Sequence, residues 1–316
     1  MKRVAILGAG MLGKYLYNRF KNLNKNLYEI NLFSHNELDI TNKDEISKII
    51  IKYDYIINCA AYTNVDKAQG SDTELCLDVN GRCLEFIAQQ CNINNTKLIH
   101  ISTDFVYGFI KYKRFNEELY ETEELNPINI YGMSKKIGEY NIKNNMENNY
   151  LILRVSWLFG PDGNNFITKI AEQLLNPEIT ELNVVNDQFG RPTSVYLIGD
   201  IVFEYLNDMI PDGLYNLQNS GELVSKFQLA LFVKEQFDNK KKINAKATFE
   251  YDSPAQRQFN SNFSCKKLDT IRTNKRNTWN EDILTMLNTL YPGSVKEKTF
   301  FKKCKMFFYN LIYKGN

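Results

Sequence analysis

The chain has 316 residues, of which 43% are hydrophobic and 24% charged, with a formal net charge of +2. These values exclude a disordered or fibrous protein and fit one large core or two domains. Of the 39 basic and 37 acidic residues, six lysines and one glutamate lie in 292–316, so the remaining body has 33 basic and 36 acidic residues. A mildly acidic body argues against a dedicated nucleic-acid binder.

The N-terminus and the cysteines indicate a cytoplasmic protein. The first apolar run meets a glycine turn before a signal-peptide core forms, and no apolar stretch is long enough to span a membrane. With two histidines and no Cys-x-x-Cys pair, no zinc-ligand spacing is present. We therefore expect reduced thiols, several of them buried, at Cys59, Cys76, Cys83, Cys91, Cys265 and Cys304.

The first predicted strand, 3–7, leads into Gly8-Ala9-Gly10-Met11-Leu12-Gly13 and then a helix that continues to about Phe20. In a Gly-x-Gly-x-x-Gly turn between strand and helix, the glycines let a pyrophosphate approach the helix N-terminus. The motif therefore predicts dinucleotide binding. The alternative is an ordinary glycine-rich turn.

The second predicted strand, Tyr28–Phe33, ends in Ser34-His35-Asn36. A carboxylate at this position would bind the adenosine ribose 2′-hydroxyl and repel a 2′-phosphate. No acidic residue directly ends the strand, which favours NADP(H) over NAD(H), although no arginine stands there either.

The next segments continue to alternate between helix and strand. They are Asp39-Ile40, a helix to about Ile51, a third strand at 55–63 with small residues Ala60, Ala61 and Thr63 at its end, a helix at 71–93 and a fourth strand at 97–102. Small residues at a strand end leave room for a cofactor. The alternation predicts an α/β fold, a Rossmann-type doubly wound parallel sheet.

The fourth strand delivers Ser102-Thr103-Asp104 to the edge where the other strands end. A hydroxyl there can orient a substrate carbonyl against a nicotinamide, and Thr103 is our candidate. Serine and threonine are also common as plain strand ends.

Tyr131 and Lys135 share one face of a predicted helix because they are four residues apart. An ammonium beside a phenol lowers a pKa that begins near ~10, so the tyrosine can exchange a proton with a carbonyl oxygen. The same spacing alone also occurs on solvated helix surfaces.

Beyond a strand near 151–160 the pattern becomes irregular, with helices near 165–175 and 195–208 around a polar loop at 186–194. We expect a dinucleotide-binding domain at 1–155 with a returning segment near 180–210. A smaller mixed α/β substrate-binding domain should occupy mainly 156–292. Residues 293–316 form a basic tail, in which 298–312 has the pattern of an interfacial helix for anionic lipid. Packing on the protein itself or on a partner would produce the same pattern.

These motifs together resemble the extended short-chain dehydrogenase/reductases, and most of all the dTDP-4-dehydrorhamnose reductase family. They are Gly8-x-Gly10-x-x-Gly13, Glu37-Leu38-Asp39-Ile40-Thr41, the 58–68 stretch, Ser102-Thr103-Asp104, Tyr131-Gly132-x-Ser134-Lys135, Arg154-x-Ser156-Trp157 and Asn186-Asp187-Gln188-x-Gly190-x-Pro192-Thr193. They occur in family order over about residues 1–200. The C-terminal part matches less well, since Gln258 replaces the proline of an Arg-Pro-x-x-Ser stretch.

The resemblance implies NAD(P)H-dependent reduction of the 4-keto group of a nucleotide-activated 6-deoxysugar, in dTDP-rhamnose and surface polysaccharide synthesis. It implies Tyr131 as proton donor, Lys135 on the nicotinamide ribose and Thr103 on the carbonyl. The implied cofactor residues are Gly8, Gly10, Met11, Leu12, Gly13, Ser34, His35, Asp39, Ile40, Ala60, Ala61, Thr63, Tyr131 and Lys135. The implied substrate residues are Thr103, Asp104, Trp157, Asn186 and Gln188, while Arg191 is added as a cation suited to a diphosphate.

Several alternatives stay open. Sugar-nucleotide dehydratases resemble this chain but carry Thr-Asp-Glu, and Phe105 in place of that glutamate disfavours dehydration. An epimerase, a reductase of another nucleotide sugar and a non-catalytic regulatory subunit that binds a dinucleotide are the other readings. A homodimer and the use of magnesium, for which no ligand set can be assigned, are also open, as is peripheral attachment to the inner face of the plasma membrane.

Overall fold

The structure, a computed structural model, describes residues 1–21, 23, 27–108, 116–237 and 239–295. The interfacial helix predicted at 298–312 lies outside the described residues, as does the predicted tail apart from 293–295. Among the described residues, no helix is long and apolar enough to cross a membrane. All five cysteines in this part of the chain are free thiols, as expected, and Cys76, Cys91 and Cys265 are buried.

The described elements alternate between strand and helix through the first half of the chain. The strands are β1 Lys2–Leu7, β2 Tyr28–Phe33, β3 Tyr55–Asn58, β4 Lys97–Thr103, β5 Tyr150–Val155, β6 Leu158–Phe159, β7 Glu181–Val185, β8 Phe189–Gly190, β9 Thr193–Ser194, β10 Gly213–Leu217, β11 Val224–Ser225, β12 Lys242–Lys246 and β13 Asn260–Ser261. The α-helices are α1 Met11–Phe20, α2 Lys43–Ile50, α3 Val65–Ala68, α4 Thr73–Leu77, α5 Cys83–Ile93, α6 Ile130–Asn145, α7 Phe166–Leu175, α8 Val195–Leu206, α9 Lys226–Gln236, α10 Lys266–Asp269 and α11 Trp279–Leu290.

Six parallel strands form the large sheet in the order β10-β5-β4-β3-β1-β2. The predicted doubly wound parallel sheet is therefore confirmed. Its third strand is shorter than the predicted 55–63, because β3 ends at Asn58, whose side chain accepts a hydrogen bond from the backbone N–H of Ala60 and so turns the chain.

Alternate side chains of the strands enter two separate cores. Val4 and Ile6 of β1 pack in the core that contains α1 and α8, whereas Ala5 and Leu7 pack in the core with α2, α5 and α6. All four are fully buried. Burial of a valine, leucine or isoleucine side chain contributes about 1.5–3 kcal/mol, so these cores hold the sheet edge rigid.

The smaller part of the molecule has a separate core built from α7, α9 and α11 against the parallel pair β7 and β12. Short strands connect it to the rest: β8 pairs with β11 and β13, and β6 pairs with β9. Within the segment predicted to return to the sheet, 180–210, β7 stays in the smaller part and α8 packs against α1. The strand that rejoins the large sheet is β10, beyond the predicted segment.

The predicted helix 71–93 is helical but irregular, since a π-helical turn, Asp78–Arg82, separates α4 from α5. Helix α6 packs very closely on this turn. A Cβ added to Gly138 would lie 2.4 Å from the carbonyl oxygen of Asn80, so only glycine permits this approach. The close packing fixes α6 against α4 and α5, with Tyr131 and Lys135 near its N-terminus at the cavity.

Candidate active site

A cavity of about 1020 Å³ lies at the carboxyl ends of the large sheet. Its walls bring together predicted residues from distant parts of the chain. They are Gly8, Gly10, Met11, Leu12, Ser34, His35, Asp39, Ile40, Ala60, Ala61, Thr63, Thr103, Asp104, Tyr131, Lys135 and Trp157. A volume of this size is at the upper end for ligand sites and suits an elongated ligand together with a second molecule.

The glycine turn fits a pyrophosphate. Gly8 has a φ of +97°, and a Cβ there would lie 2.6 Å from the backbone nitrogen of Ala60. A Cβ on Gly10 would meet no atom within 4 Å, so this residue is open to the cavity. Gly10 caps α1 without a side-chain hydrogen bond, and the first turn of α1 has no acidic residue. The free N–H groups of that turn can therefore bind an anion.

A carboxylate that the sequence pattern did not reveal, Glu37, lies beside Ser34 at the cavity end near β2. The backbone N–H and the hydroxyl of Ser34 both donate to Glu37, at 2.8 and 2.6 Å. These hydrogen bonds lower the pKa of Glu37, which is therefore charged at neutral pH. Although no acidic residue directly follows β2, a carboxylate folds back onto its end.

Tyr131, Thr103 and Asp104 lie together in the cavity wall. The Thr103 hydroxyl donates to Asp104 at 2.9 Å, and it lies close enough to the Tyr131 phenol to affect its pKa. Desolvation raises the pKa of Tyr131, and the nearby Thr103 hydroxyl lowers it by less. The expectation that the tyrosine pKa is lowered is therefore wrong for this arrangement. At neutral pH the phenol keeps its proton.

Lys135 is buried on the same helix face, one turn after Tyr131. Its amine donates to the carbonyl oxygen of Ile101 at 2.6 Å and lies 3.2 Å from Nε2 of His100. Burial lowers the pKa of Lys135 to about 8, against the opposing charge of Glu139. The lysine is thus held by the sheet and not by the tyrosine.

Phe105, which stands in place of the dehydratase glutamate, packs against the phenol ring of Tyr131. Its ring meets the Tyr131 ring edge-on, with centroids 5.4 Å apart and planes at 85°. This geometry is favourable for an aromatic pair and restricts rotation of the phenol ring.

Trp157 shapes the far wall of the cavity. Its φ of +46° is unusual for a bulky residue, and such strain persists only where the surrounding structure enforces it. The ammonium of Lys226 lies 5.5 Å from the centre of the Trp157 ring and makes no ion pair with any described carboxylate. Burial lowers the pKa of Lys226 to about 8, although Asp104 partly opposes the shift. Sequence reasoning missed this lysine because no local pattern marks it.

Gln258, which departs from the family pattern, also contacts the site. Its amide Nε2 donates to Asp104 at 2.8 Å, and the hydroxyl of Ser261 donates to the same carboxylate oxygen at 2.6 Å. The carboxylate of Asp104 therefore accepts hydrogen bonds from both parts of the molecule. The position of Asp104 directly after Thr103 could have suggested a role for its carboxylate. Its partners Gln258 and Ser261 could not be read from the sequence.

Four predicted residues do not line the cavity. Gly13 lies beneath the turn, where a Cβ would clash with the carbonyl of Gly8. Asn186 is exposed and accepts a bond from Ser225. The other two are held inside the smaller part of the molecule: the Gln188 amide donates to Thr248, and the Arg191 guanidinium donates to the Gly221 carbonyl and Asn262. Within the described residues, no group of three or more His, Cys, Asp or Glu side chains is placed to hold a metal ion.

Comparisons with known proteins agree with this geometry. Residues 1–291 match the family model described as RmlD substrate binding domain. The dTDP-4-dehydrorhamnose reductase of Aggregatibacter actinomycetemcomitans is 32% identical over 85% of this chain and 92% of its own length. The Escherichia coli K12 enzyme of the same name is 32% identical over 80% of this chain and 86% of its own length.

Solved structures give the same result. The dTDP-4-dehydrorhamnose reductase of Bacillus anthracis in complex with NADP is 31% identical and superposes with a TM-score of 0.82, covering 91% of this chain and 99% of that chain. UDP-glucose 4-epimerase of Thermus thermophilus, at 17% identity and a TM-score of 0.73, shares the fold alone. The chain is an extended short-chain dehydrogenase/reductase and belongs to the RmlD substrate binding domain family, the family of the dTDP-4-dehydrorhamnose reductases.

Proposed function

We propose that this protein is an NAD(P)H-dependent reductase of the 4-keto group of a dTDP-activated 6-deoxysugar, as the names of its relatives indicate. One observation carries the proposal. A phenol that retains its proton, Tyr131, lies in the same cavity as the open glycine turn at Gly10. Such a cavity can place a reduced nicotinamide and a carbonyl beside a proton donor.

The reaction requires one hydride and one proton, and the bound nicotinamide would supply the hydride. Tyr131 then gives its phenolic proton to the carbonyl oxygen. The raised pKa suits this role, because an acid must be protonated before the reaction starts. Thr103, whose hydroxyl is oriented by its bond to Asp104, lines the same cavity as Tyr131 and can help to place the carbonyl at the end of β4.

Residues for the cofactor follow from the cavity walls. The first turn of α1 would hold the pyrophosphate, and Asp39 and Ile40 would line the adenosine side. Ala60, Ala61 and Thr63 would follow the cofactor along the end of β3. Because these residues fit a dinucleotide as they stand, the cofactor can bind without rearrangement of the sheet edge.

For the choice of cofactor we propose NADP(H), since a relative with 31% identity was solved in complex with NADP. Ser34 and His35 line the cavity at this end and can donate to a 2′-phosphate. The charge of Glu37 opposes a 2′-phosphate and favours use of NADH as well. We therefore expect both cofactors to support activity.

On the substrate side we propose Trp157 as a stacking surface for the sugar nucleotide and Lys226 as the cation for its diphosphate. The guanidinium of Arg191 already donates to the Gly221 carbonyl and to Asn262, whereas the amine of Lys226 lies against the Trp157 ring without an ion pair to a described carboxylate. A cation poor in internal partners and set beside an aromatic wall suits an anionic ligand.

The proposal also covers location and assembly. We propose a cytoplasmic homodimer whose residues 298–312 contact anionic lipid. Equal partitioning of the full chain and a 1–292 truncation onto anionic vesicles would contradict the lipid contact. Sedimentation at micromolar concentration, with and without magnesium, tests the dimer and its metal dependence.

The activity is tested by following NADPH and NADH oxidation with a panel of dTDP-activated and other 4-keto nucleotide sugars. Tyr131→Phe keeps the ring contact with Phe105 but removes the proton, so kcat should fall by about 10²–10⁴-fold with little change in Kd for the cofactor. Undiminished kcat in this variant would contradict the mechanism. Epimerisation without net oxidation of the cofactor would instead support the epimerase alternative.

A further inference from the structure

Behind Lys135 lies a buried polar chain that the proposed reaction does not use. The backbone N–H of Ala60 donates to Oδ1 of Asn58 at 3.1 Å. The Nδ2 of Asn58 is 3.2 Å from Nδ1 of His100, and Nε2 of His100 is 3.2 Å from the Lys135 amine. Asn58, His100 and Lys135 are each no more than 2% exposed. These contacts connect the end of β3 with the lysine of α6.

The chain of contacts fixes where the ring proton of His100 sits. A backbone N–H only donates, so the oxygen of the Asn58 amide must face Ala60 and its NH₂ group must face His100. Nδ1 of His100 therefore accepts a hydrogen bond. Burial is the main cause that lowers the pKa of His100 well below its usual value, so the ring is neutral and carries one proton whether or not Lys135 is charged. That proton belongs on Nε2.

The Nε2–H group points at the amine of Lys135. An ammonium has three donors and no acceptor, so a charged Lys135 would face His100 donor to donor. A neutral amine has a lone pair for this proton. We propose that Asn58 and His100 are positioning residues that hold the His100 proton on Nε2 and donate it to the neutral amine of Lys135. Only the assignment of Lys135 to the catalytic machinery rests on the proposed function.

Other groups around Lys135 act on the same equilibrium. The amine also donates to the Ile101 carbonyl, which is satisfied in either charge state. Glu139 favours the ammonium, whereas burial favours the amine. The remaining titratable groups that face it are Tyr131 and the thiols of Cys59, Cys76 and Cys83.

The consequence is a link between charge and position. When Lys135 takes up a proton, the ammonium needs Nε2 as an acceptor, so the His100 proton must move to Nδ1. On Nδ1 the proton faces the NH₂ group of Asn58, which is also a donor and is held in place by the bond from Ala60. The charge of Lys135 is therefore coupled to the strand end that lines the cofactor side of the cavity.

The ¹⁵N NMR spectrum of histidine-labelled protein tests this directly, because the chain has only two histidines, His35 and His100. At pH 9, where Lys135 is mainly neutral, we expect His100 to carry its proton on Nε2. A proton on Nδ1 at this pH would overturn the proposal. The measurement uses the free protein without substrate, so it does not depend on whether the proposed activity is correct.

Asn58→Asp provides the matched perturbation. A carboxylate at 58 accepts from both Ala60 and Nδ1–H, so the His100 proton should move to Nδ1 at pH 9 and Nε2 should accept from the ammonium. The basic limb of the kcat/KM profile should shift up by about one pH unit, since the charged lysine gains an acceptor. An unchanged tautomer would overturn the proposal. If Asn58→Asp does not fold, His100→Leu serves as the second variant. His100→Leu should also shift the basic limb of the kcat/KM profile, without adding a charge at position 58. A basic limb that stays in place would refute the coupling.

Discussion

Replacement of Arg154 by methionine should destabilise the protein more than any surface charge change, because Arg154 forms a buried ion pair with Glu139. Nη2 of the arginine is 2.6 Å from the carboxylate, Nε is 3.0 Å from it, and both side chains are 2% exposed. Breaking a buried pair costs about 3–5 kcal/mol, because one charge is left uncompensated. In the variant, Glu139 still accepts a hydrogen bond from Ser102 and lies near the charge of Lys135. The expected loss in free energy of unfolding is therefore at the lower end of this range, about 3 kcal/mol.

Urea unfolding at pH 7 measures this loss from the shift in midpoint at constant slope. A second variant, Glu139→Met with Arg154→Met, removes both charges and should recover much of the stability, since replacement of both partners by apolar residues is often neutral. Arg3→Met breaks an ion pair with Asp54 whose side chains are almost half exposed, so its midpoint should stay near that of the wild type. A loss below about 1 kcal/mol for Arg154→Met would refute the reasoning.

Three further predictions concern cofactor, substrate and pH. Glu37→Gln removes a charge next to Ser34, so the ratio of kcat/KM for NADPH over NADH should rise by roughly three- to tenfold, and an unchanged ratio would exclude Glu37 from cofactor choice. Lys226→Met should raise KM for the sugar nucleotide by roughly tenfold or more with kcat less affected, whereas Arg191→Met should mainly lower stability; the reverse pattern would restore Arg191 as the diphosphate ligand. The folded-state pKa of His100 lies well below 6.5, so the unfolded chain binds more protons and stability falls as pH drops below about 6.5. His100→Leu should reduce this slope by up to about 1.4 kcal/mol per pH unit, measured by urea unfolding between pH 5 and 7 with His35→Asn as control.

Local patterns predicted the features that depend on neighbours in sequence. The Gly8–Gly13 turn, β2 and the Tyr131–Lys135 helix were found because glycine spacing, strand alternation and helix periodicity act over a few residues. The direction of the Tyr131 pKa could not be found this way. It depends on how much water the folded cavity excludes, and the spacing of a lysine carries no information on desolvation.

Two features of the site were not revealed by the sequence, one a local turn and the other a contact between distant segments. Glu37 was read as part of a family motif, yet its hydrogen bonds to Ser34 place its charge at the end of β2. Lys226 begins α9, 69 residues after Trp157, and the two meet only because α9 packs in the smaller core beside the cavity wall. A lysine in the first turn of a helix carries no local signal of a binding role.

The carboxylate of Asp104 connects the two parts of the molecule at the candidate active site. One of its oxygens accepts from Thr103 at the end of β4, and the other accepts from Gln258 and Ser261 of the smaller part. Displacement of the 258–261 segment would therefore disturb the carboxylate that accepts from the Thr103 hydroxyl. Since the glutamine supplies an N–H that proline lacks, the departure from the family pattern adds a bond to Asp104. We therefore propose that Gln258 orients Asp104, and through it the Thr103 hydroxyl, without contact with the substrate.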